Sequence, residues 1–299
     1  MYSLARIDRW RLRDDAPGNE GWRMANVVVI TGSSSGLGLL SALAFARQGD
    51  RVYATMRDPT KSDELRENTR HEGLNVTVSK LDVTVAASVV ESVDRVLDAE
   101  GRIDVLVNNA GVLTLSPLEV LTDEVLRSTF ETNFFGAVRM IRAVLPTMRA
   151  HRSGVIINVS SLSGRLPGGP IYWPYAASKH ALSTMSDGLA MEVEPFGIKV
   201  ACIEPGFFRT DILTKANLQA SRDSPYQEVG SSVLRYFERG LAQGADPQHA
   251  VDAIVAATKS DDPDLIHVLV GEDSQQFIQA YRTMSEPDYK AELRAALGL

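Results

Sequence analysis

Residues 27–40, VVVITGSSSGLGLL, carry a β-branched run from Val27 to Thr31 that gives way at once to three glycines and three serines. Val and Ile in succession favour a strand, and the apolar spacing that resumes at Leu37 fits a helix. The glycines therefore fall in a strand-to-helix turn. In such a turn glycine lets the backbone approach a ligand closely, while the helix N-terminus offers unpaired N–H groups and partial positive charge. Phosphate suits that environment, with Ser33, Ser34 and Ser35 as further donors. Gly32, Gly36 and Gly38 make the spacing G-x-x-x-G-x-G, which is neither G-x-G-x-x-G nor a P-loop with its lysine. Taken alone, it also fits a tight turn that binds nothing.

Outward from this turn the chain alternates short β-branched runs with longer helical patterns. Strands are expected at Val27–Thr31, Arg51–Thr55, Asn75–Lys80, Ile103–Val107, Gly154–Ser160, Ile198–Ile203 and Leu265–Val270. Helices are expected at Gly36–Gln48, Thr60–His71, Val85–Glu100, Thr122–Arg149, Tyr175–Pro195 and Pro247–Lys259. The alternation predicts an α/β protein: an open, doubly wound Rossmann-type sheet of about seven parallel strands with helices on both faces. Its ligand crevice lies at the strand C-termini. An eight-stranded barrel is the alternative, which seven strands and the Pro- and Gly-bearing stretch 205–244 fit poorly.

No repeat or low-complexity linker divides the chain, so residues 24–299 read as one domain. Residues 1–23 hold five Arg and two Trp without the apolar run of an export signal. They read as a disordered or non-essential extension, or as lying upstream of a start at Met24. With 299 residues and 44% hydrophobic content the chain can bury a sizeable core. A net charge of −7 argues against nucleic acid as a partner. Cys202, the one cysteine, excludes an intramolecular disulfide and fits a reducing, cytoplasmic setting. Five scattered histidines give no metal site, and no apolar run is long enough to span a membrane.

Chemistry is suggested by YAASKHAL, where Tyr175 and Lys179 stand four apart on one helix face. A nearby ammonium favours the phenolate, so such a tyrosine could exchange a proton with an alcohol near neutral pH. The same spacing is also that of an ordinary helical Tyr/Lys pair. Upstream, Ser160 and Ser161 end the fifth strand and place hydroxyls at the functional edge. Asn133 lies inside a helical pattern, where asparagine either sits exposed or makes a specific bond.

With these motifs in order, the sequence resembles the short-chain dehydrogenase/reductase family. TGSSSGLG is similar to the family's cofactor loop, LDVT to its adenine-side strand end, NNAG to the turn after its fourth strand, and EPGFFRT to its nicotinamide-side turn. The resemblance implies an oxidoreductase that interconverts a carbonyl and an alcohol with NAD(P). Tyr175 would be the proton donor, Lys179 would lower its pKa and hold the ribose, Ser161 would bind the substrate oxygen, and Asn133 would complete a water-linked relay. Cofactor contacts would come from Gly32, Ser34, Ser35, Gly36, Leu37 and Gly38 of the loop, and from Asp82, Val83, Asn109, Ala110 and Gly111 on the adenosine side. Pro205, Gly206, Phe208 and Thr210 would serve the nicotinamide side, beside Tyr175 and Lys179. Ser161 precedes Tyr175 by fourteen residues where thirteen is commoner, which leaves Ser160 open. Tyr172 has Ala176, not lysine, four residues on, and is expected to line the substrate mouth.

In RVYATMRD, Met56 takes the place of the acid that NAD-using members carry, and Arg57 follows it. A guanidinium suits a 2′-phosphate, so NADP(H) is the preferred cofactor, with NAD(H) still admitted. The stretch 207–244 is apolar enough to cover a hydrophobic substrate, although its side chains could equally pack a lid onto the core. The resemblance is closest to hydroxysteroid and retinol dehydrogenases, and implies a bulky apolar ketone, aldehyde or alcohol as substrate and a homodimer or homotetramer as assembly. A catalytically silent NADP(H) sensor and a partner-binding module remain as alternatives on the same fold.

Overall fold

The computed structural model describes residues 25–218, 225–260, 262 and 265–299. The extension 1–23, Met24 and residues 219–224 of the covering stretch lie outside the described residues. The strands are β1 (Val27–Thr31), β2 (Arg51–Met56), β3 (Val76–Lys80), β4 (Val105–Asn108), β5 (Thr114–Leu115), β6 (Gly154–Val159), β7 (Ile198–Pro205), β8 (Asn217–Leu218) and β9 (His267–Val270). Seven of them form one sheet in the order β3-β2-β1-β4-β6-β7-β9, and β5 and β8 pair with each other apart from it. Every pairing in the large sheet is parallel. The expected seven-stranded, doubly wound sheet is therefore the observed one. Because the strand order reverses between β1 and β4, the crevice opens above that pair.

Helices cover both faces: α1 (Gly36–Arg47), α2 (Asp63–Glu72), α3 (Ala86–Glu100), α4 (Asp123–Phe130), α5 (Gly136–His151), α6 (Trp173–Val193), α7 (Gln227–Ala242), α8 (Pro247–Lys259), α9 (Glu272–Thr283) and α10 (Glu286–Leu297). All of β1 is buried, yet its side chains still alternate. Val28 and Ile30 join Leu39 and Phe45 of α1 and Ile254 of α8, whereas Val27 and Val29 join Val89 of α3, Met140 of α5 and Leu189 of α6. A continuous apolar run thus serves two cores at once, as a parallel strand covered on both sides must.

Two expectations change. The single helix over 122–149 is α4 and α5 joined by a π turn, Glu131–Phe135. The extra residue in that turn is accommodated because Asn133 is drawn inward, its Nδ2 donating to Val112 O and to Ser178 Oγ at 2.9 Å each. Helix α7 within the stretch 207–244, and α9 and α10 beyond β9, have no counterpart among the expected helices. Tyr289 of α10 packs there against Leu162 and Leu166 beside β6.

Candidate active site

The glycine turn after β1 is shaped by close contacts that exclude side chains. Gly32 has φ +71°, and a Cβ there would lie 2.8 Å from Ala110 Cα; a Cβ on Gly38 would lie 2.4 Å from Gly32 O. Gly36 differs: its φ is +57°, and nothing stands within 4 Å of a Cβ placed on it. Helix α1 begins at Gly36 with no side-chain cap from Ser35 and no acid in its first turn. Its leading N–H groups and positive dipole end therefore face the crevice uncompensated, an arrangement that fits a phosphate. Asn109 braces the turn by donating from Nδ2 to Thr31 O at 2.9 Å and to Gly32 O at 3.1 Å. Its amide is thus engaged with the loop, although it still borders the crevice. Asp82 similarly accepts from Thr84 N (2.9 Å) and Thr84 Oγ1 (2.7 Å).

The crevice continues into one cleft of about 670 Å³. Of the residues singled out from the sequence for the site, only Ser33, Gly38 and Asn133 do not border it; Ser33, expected as a phosphate donor, is instead buried and donates its hydroxyl to Ile30 O at 3.1 Å. Met56 and Arg57 stand together at the end of β2, with Lys61 on the same rim. Ser35 is contacted by the Lys215 ammonium, a second cation at the glycine turn that sequence reasoning passed over.

Between the two candidate serines the geometry discriminates. Ser160 is buried and engaged, bonding Lys179 O at 3.2 Å and Ser183 Oγ at 2.9 Å. Ser161 accepts from Ser163 N at 3.1 Å and shares a hydrogen bond with the Tyr175 hydroxyl. Tyr175 and Lys179 lie one turn apart on α6, both buried. The Lys179 ammonium donates to Val159 O at 2.8 Å and lies 5.8 Å from the Tyr175 ring centroid. A Cβ on Gly111 would lie 3.4 Å from Asn133 Oδ1 and 3.5 Å from Lys179 Nζ, so these three converge beneath Tyr175.

Burial, not the lysine, dominates the titration of the tyrosine in this environment. Burial pushes the Tyr175 phenol up, with the Ser161 hydrogen bond opposing it, and burial draws Lys179 down to about 8. The physical reason is shared: both groups sit in a dry wall where the charged form of each is disfavoured. The phenol is therefore held protonated, ready to donate. Asn133 is buried, with both Nδ2 protons and one Oδ1 lone pair spent on Val112 and Ser178. Its side chain braces the chain beside Gly111.

Behind the site lies a buried polar group that the sequence reading missed. Glu204 of β7 is fully buried and accepts from Ser183 Oγ (3.2 Å) and from His267 Nδ1 (2.9 Å), with Arg165 Nε 3.8 Å away. An acid in an otherwise apolar strand, ACIEP, was the available signal. Tyr236, Phe237, Tyr289 and Leu293 also border the cleft; nothing local in sequence ties the last two to it.

A doubly wound parallel sheet with an uncapped glycine turn at its switch point and a Ser-Tyr-Lys set in the cleft wall, its Tyr and Lys buried, defines a nicotinamide-dependent oxidoreductase. Residues 26–221 match the family described as short chain dehydrogenase, and the chain belongs to that family. It is 37% identical over 230 residues to 3-ketodihydrosphingosine reductase from Bacteroides thetaiotaomicron, covering 76% of this chain and 81% of that one. It is 38% identical over 251 residues to human retinol dehydrogenase 8, covering 80% and 79%. A solved short-chain dehydrogenase from Streptomyces avermitilis superposes with a TM-score of 0.78 at 36% identity, covering 91% of this chain and 96% of that one. The protein is accordingly an oxidoreductase acting on an alcohol or its carbonyl with NAD(P) and a small-molecule substrate. Among the described residues no helix is long and apolar enough to cross a membrane.

Proposed function

We propose that the protein interconverts a bulky apolar ketone or aldehyde and its alcohol, with NADP(H) as the preferred cofactor. The observation that carries this reading is the continuity of the cleft: the glycine turn, the Ser161 and Tyr175 hydroxyls, and an apolar wall of Leu113, Leu166, Phe207 and Phe237 border one space. Of the two readings of the stretch 207–244, substrate cover is favoured for Phe207, Ile212, Tyr236 and Phe237, which face that space. Val233, fully buried, packs inward. The relatives named for a ketosphingoid and for retinol support an apolar substrate.

The cofactor, bound along the glycine turn, supplies or takes up the hydride. Tyr175 moves a proton at the substrate oxygen, donating in reduction and accepting in oxidation. Ser161 donates to the same oxygen as charge develops on it. Lys179, held by Val159 O, sets positive charge beneath the Tyr175 ring and favours the phenolate left after donation. Gly111, backed by Asn133, forms the floor of the site, and the aromatic wall excludes water. NADP(H) preference rests on Met56 occupying the acid's place, with Arg57 and Lys61 on the same rim to meet a 2′-phosphate.

The test is initial-rate oxidation of NADPH and NADH against ketones and aldehydes graded in size and polarity, including a retinoid and a long-chain ketone. Faster turnover of the bulky apolar members with NADPH is expected. Inactivity across the whole series would favour the sensor reading, and activity confined to small polar carbonyls would remove the apolar one.

A further inference from the structure

Past Tyr175 the cleft is walled by three more tyrosines that the reaction does not use. Tyr172 stands at the N-cap of α6, Tyr236 comes from α7 and Tyr289 from α10, and all three border the cleft. Tyr172 and Tyr236 pack edge-on against one ring, Phe237, with centroids 5.5 and 5.9 Å away. Phe207 lies 5.5 Å from Tyr236 and 5.7 Å from Phe237, closing the apolar side of the cluster. Tyr289 reaches the cleft beside Leu162 and Leu166, the residues that follow Ser161. Three separate elements thus deliver a phenol to one chamber.

A buried phenol places its ring among apolar neighbours and normally finds a partner for its hydroxyl. The Gly169 backbone amide lies near the Tyr172 oxygen and only partly offsets the effect of burial on that phenol. Glycine is required there, since a Cβ on Gly169 would lie 2.8 Å from that oxygen. Among the described residues the hydroxyls of Tyr236 and Tyr289 have no protein partner. Burial pushes each of the three phenols up to about 12, and each is further opposed by the next: Tyr172 by Tyr236, Tyr236 by Tyr289, Tyr289 by Tyr172. All three phenols border the one chamber and stay protonated at neutral pH.

We infer that Tyr172, Tyr236 and Tyr289 form a second polar contact in the substrate chamber, binding an oxygen remote from the reacting carbon. The substrate class is then a long apolar carbonyl or alcohol that carries a second hydroxyl or carbonyl oxygen along its body or at its far end. This rests on the reading of the chamber as the substrate site. An apolar wall supplies affinity but distinguishes the ends of a hydrocarbon poorly. Hydroxyls built to meet an oxygen disfavour the analogue that lacks it, because they are then left unpaired. The cluster would therefore set which end of the molecule enters first, and so which carbon meets Tyr175.

The experiment is equilibrium binding to the protein saturated with NADP+, using a graded series of long 2-alkanones, each with and without a terminal hydroxyl. At the chain length that spans the chamber, the hydroxylated ketone is expected to bind about tenfold more tightly than its parent. Tyr236→Phe and Tyr289→Phe should each remove most of that preference by weakening the hydroxylated ketone far more than its parent, with the melting temperature of Tyr289→Phe unchanged. No preference at any length, or equal weakening of both ketones in the variants, overturns the inference. Turnover of the same ketones separates the two claims. A binding preference that vanishes in the Phe variants, without NADPH consumption, supports the contact and removes the catalytic reading; turnover without preference does the reverse.

Discussion

His267 Nε2 is 2.6 Å from Asp187 Oδ1, and this bond ties the edge strand β9 to α6, the helix that carries Tyr175 and Lys179. The other ring nitrogen bonds buried Glu204, so the imidazole bridges two carboxylates. Burial by itself would lower His267, but the hydrogen bonds to Cys202 and Glu204 and the Glu204 charge outweigh it and push the imidazole up to about 10. A folded value above the unfolded one near 6.5 means that the bridge stabilises fully below about pH 6.5 and fades as pH rises through about 10. Lys179, drawn down to about 8, works in the opposite sense over part of that window. The difference between wild type and His267→Gln cancels it. The wild-type advantage in melting temperature is expected to shrink steadily from pH 6.5 to 10; parallel curves would remove the bridge as a source of stability. His267→Ala, which leaves Glu204 buried without its main partner, should cost about 3–5 kcal/mol.

Tyr175→Phe is expected to lower kcat by about 10² or more, the usual scale for a positioned proton donor, with cofactor binding and melting temperature retained. Retention of more than about half of the wild-type turnover, where chemistry limits the rate, would take the proton-donor role from Tyr175.

Arg57→Ala should weaken NADPH by about tenfold to a hundredfold, the scale of one or two charged hydrogen bonds, and scarcely change NADH. Met56→Asp combined with Arg57→Ala should reverse the preference, because a carboxylate bonds the ribose hydroxyls and repels a 2′-phosphate. Titration of both cofactors by fluorescence decides it: equal losses for the two would sink the assignment.

Two glycines of the same turn, Gly36 and Gly38, separate fold from binding. Gly38→Ala must displace Gly32 O, which a Cβ would approach to 2.4 Å, and should destabilise the whole domain. Gly36→Ala meets nothing within 4 Å and carries only the cost of a left-handed φ, about 1–2 kcal/mol, yet its methyl enters the phosphate space. Its melting temperature should fall modestly while cofactor affinity collapses. Unchanged affinity in Gly36→Ala would show that the phosphates lie elsewhere.

A dimer or tetramer is expected from α4 and α5 with the π turn between them and from α6, which leave Phe135 44% and Met191 70% exposed. Sedimentation at micromolar concentration should find no predominant monomer, and Met191→Glu should shift the distribution toward one if this face is the contact. A wild-type protein sedimenting only as monomer would end the proposal.

The parts of this protein that rest on neighbours along the chain were legible without a structure. Runs such as Val27–Thr31 make strands because β-branched side chains fit a covered sheet, the glycines of residues 32–38 make a turn because other residues would clash, and Tyr175 and Lys179 share a face because they stand one helical turn apart. Those local rules carried the sheet, its switch point and most of the cleft. What only the tertiary structure decided depends on residues brought together from distant segments. Ser161 and not Ser160 meets Tyr175, because Ser183 and the Lys179 carbonyl engage Ser160. The π turn at Asn133 exists because Val112 and Ser178 draw the carboxamide inward. Burial, a property of the assembled walls, holds the Tyr175 phenol up and Lys179 down. Tyr289 reaches the chamber from a helix near the chain's end, where no local pattern encodes a destination, since a side chain's surroundings are set by packing and not by its position in the sequence.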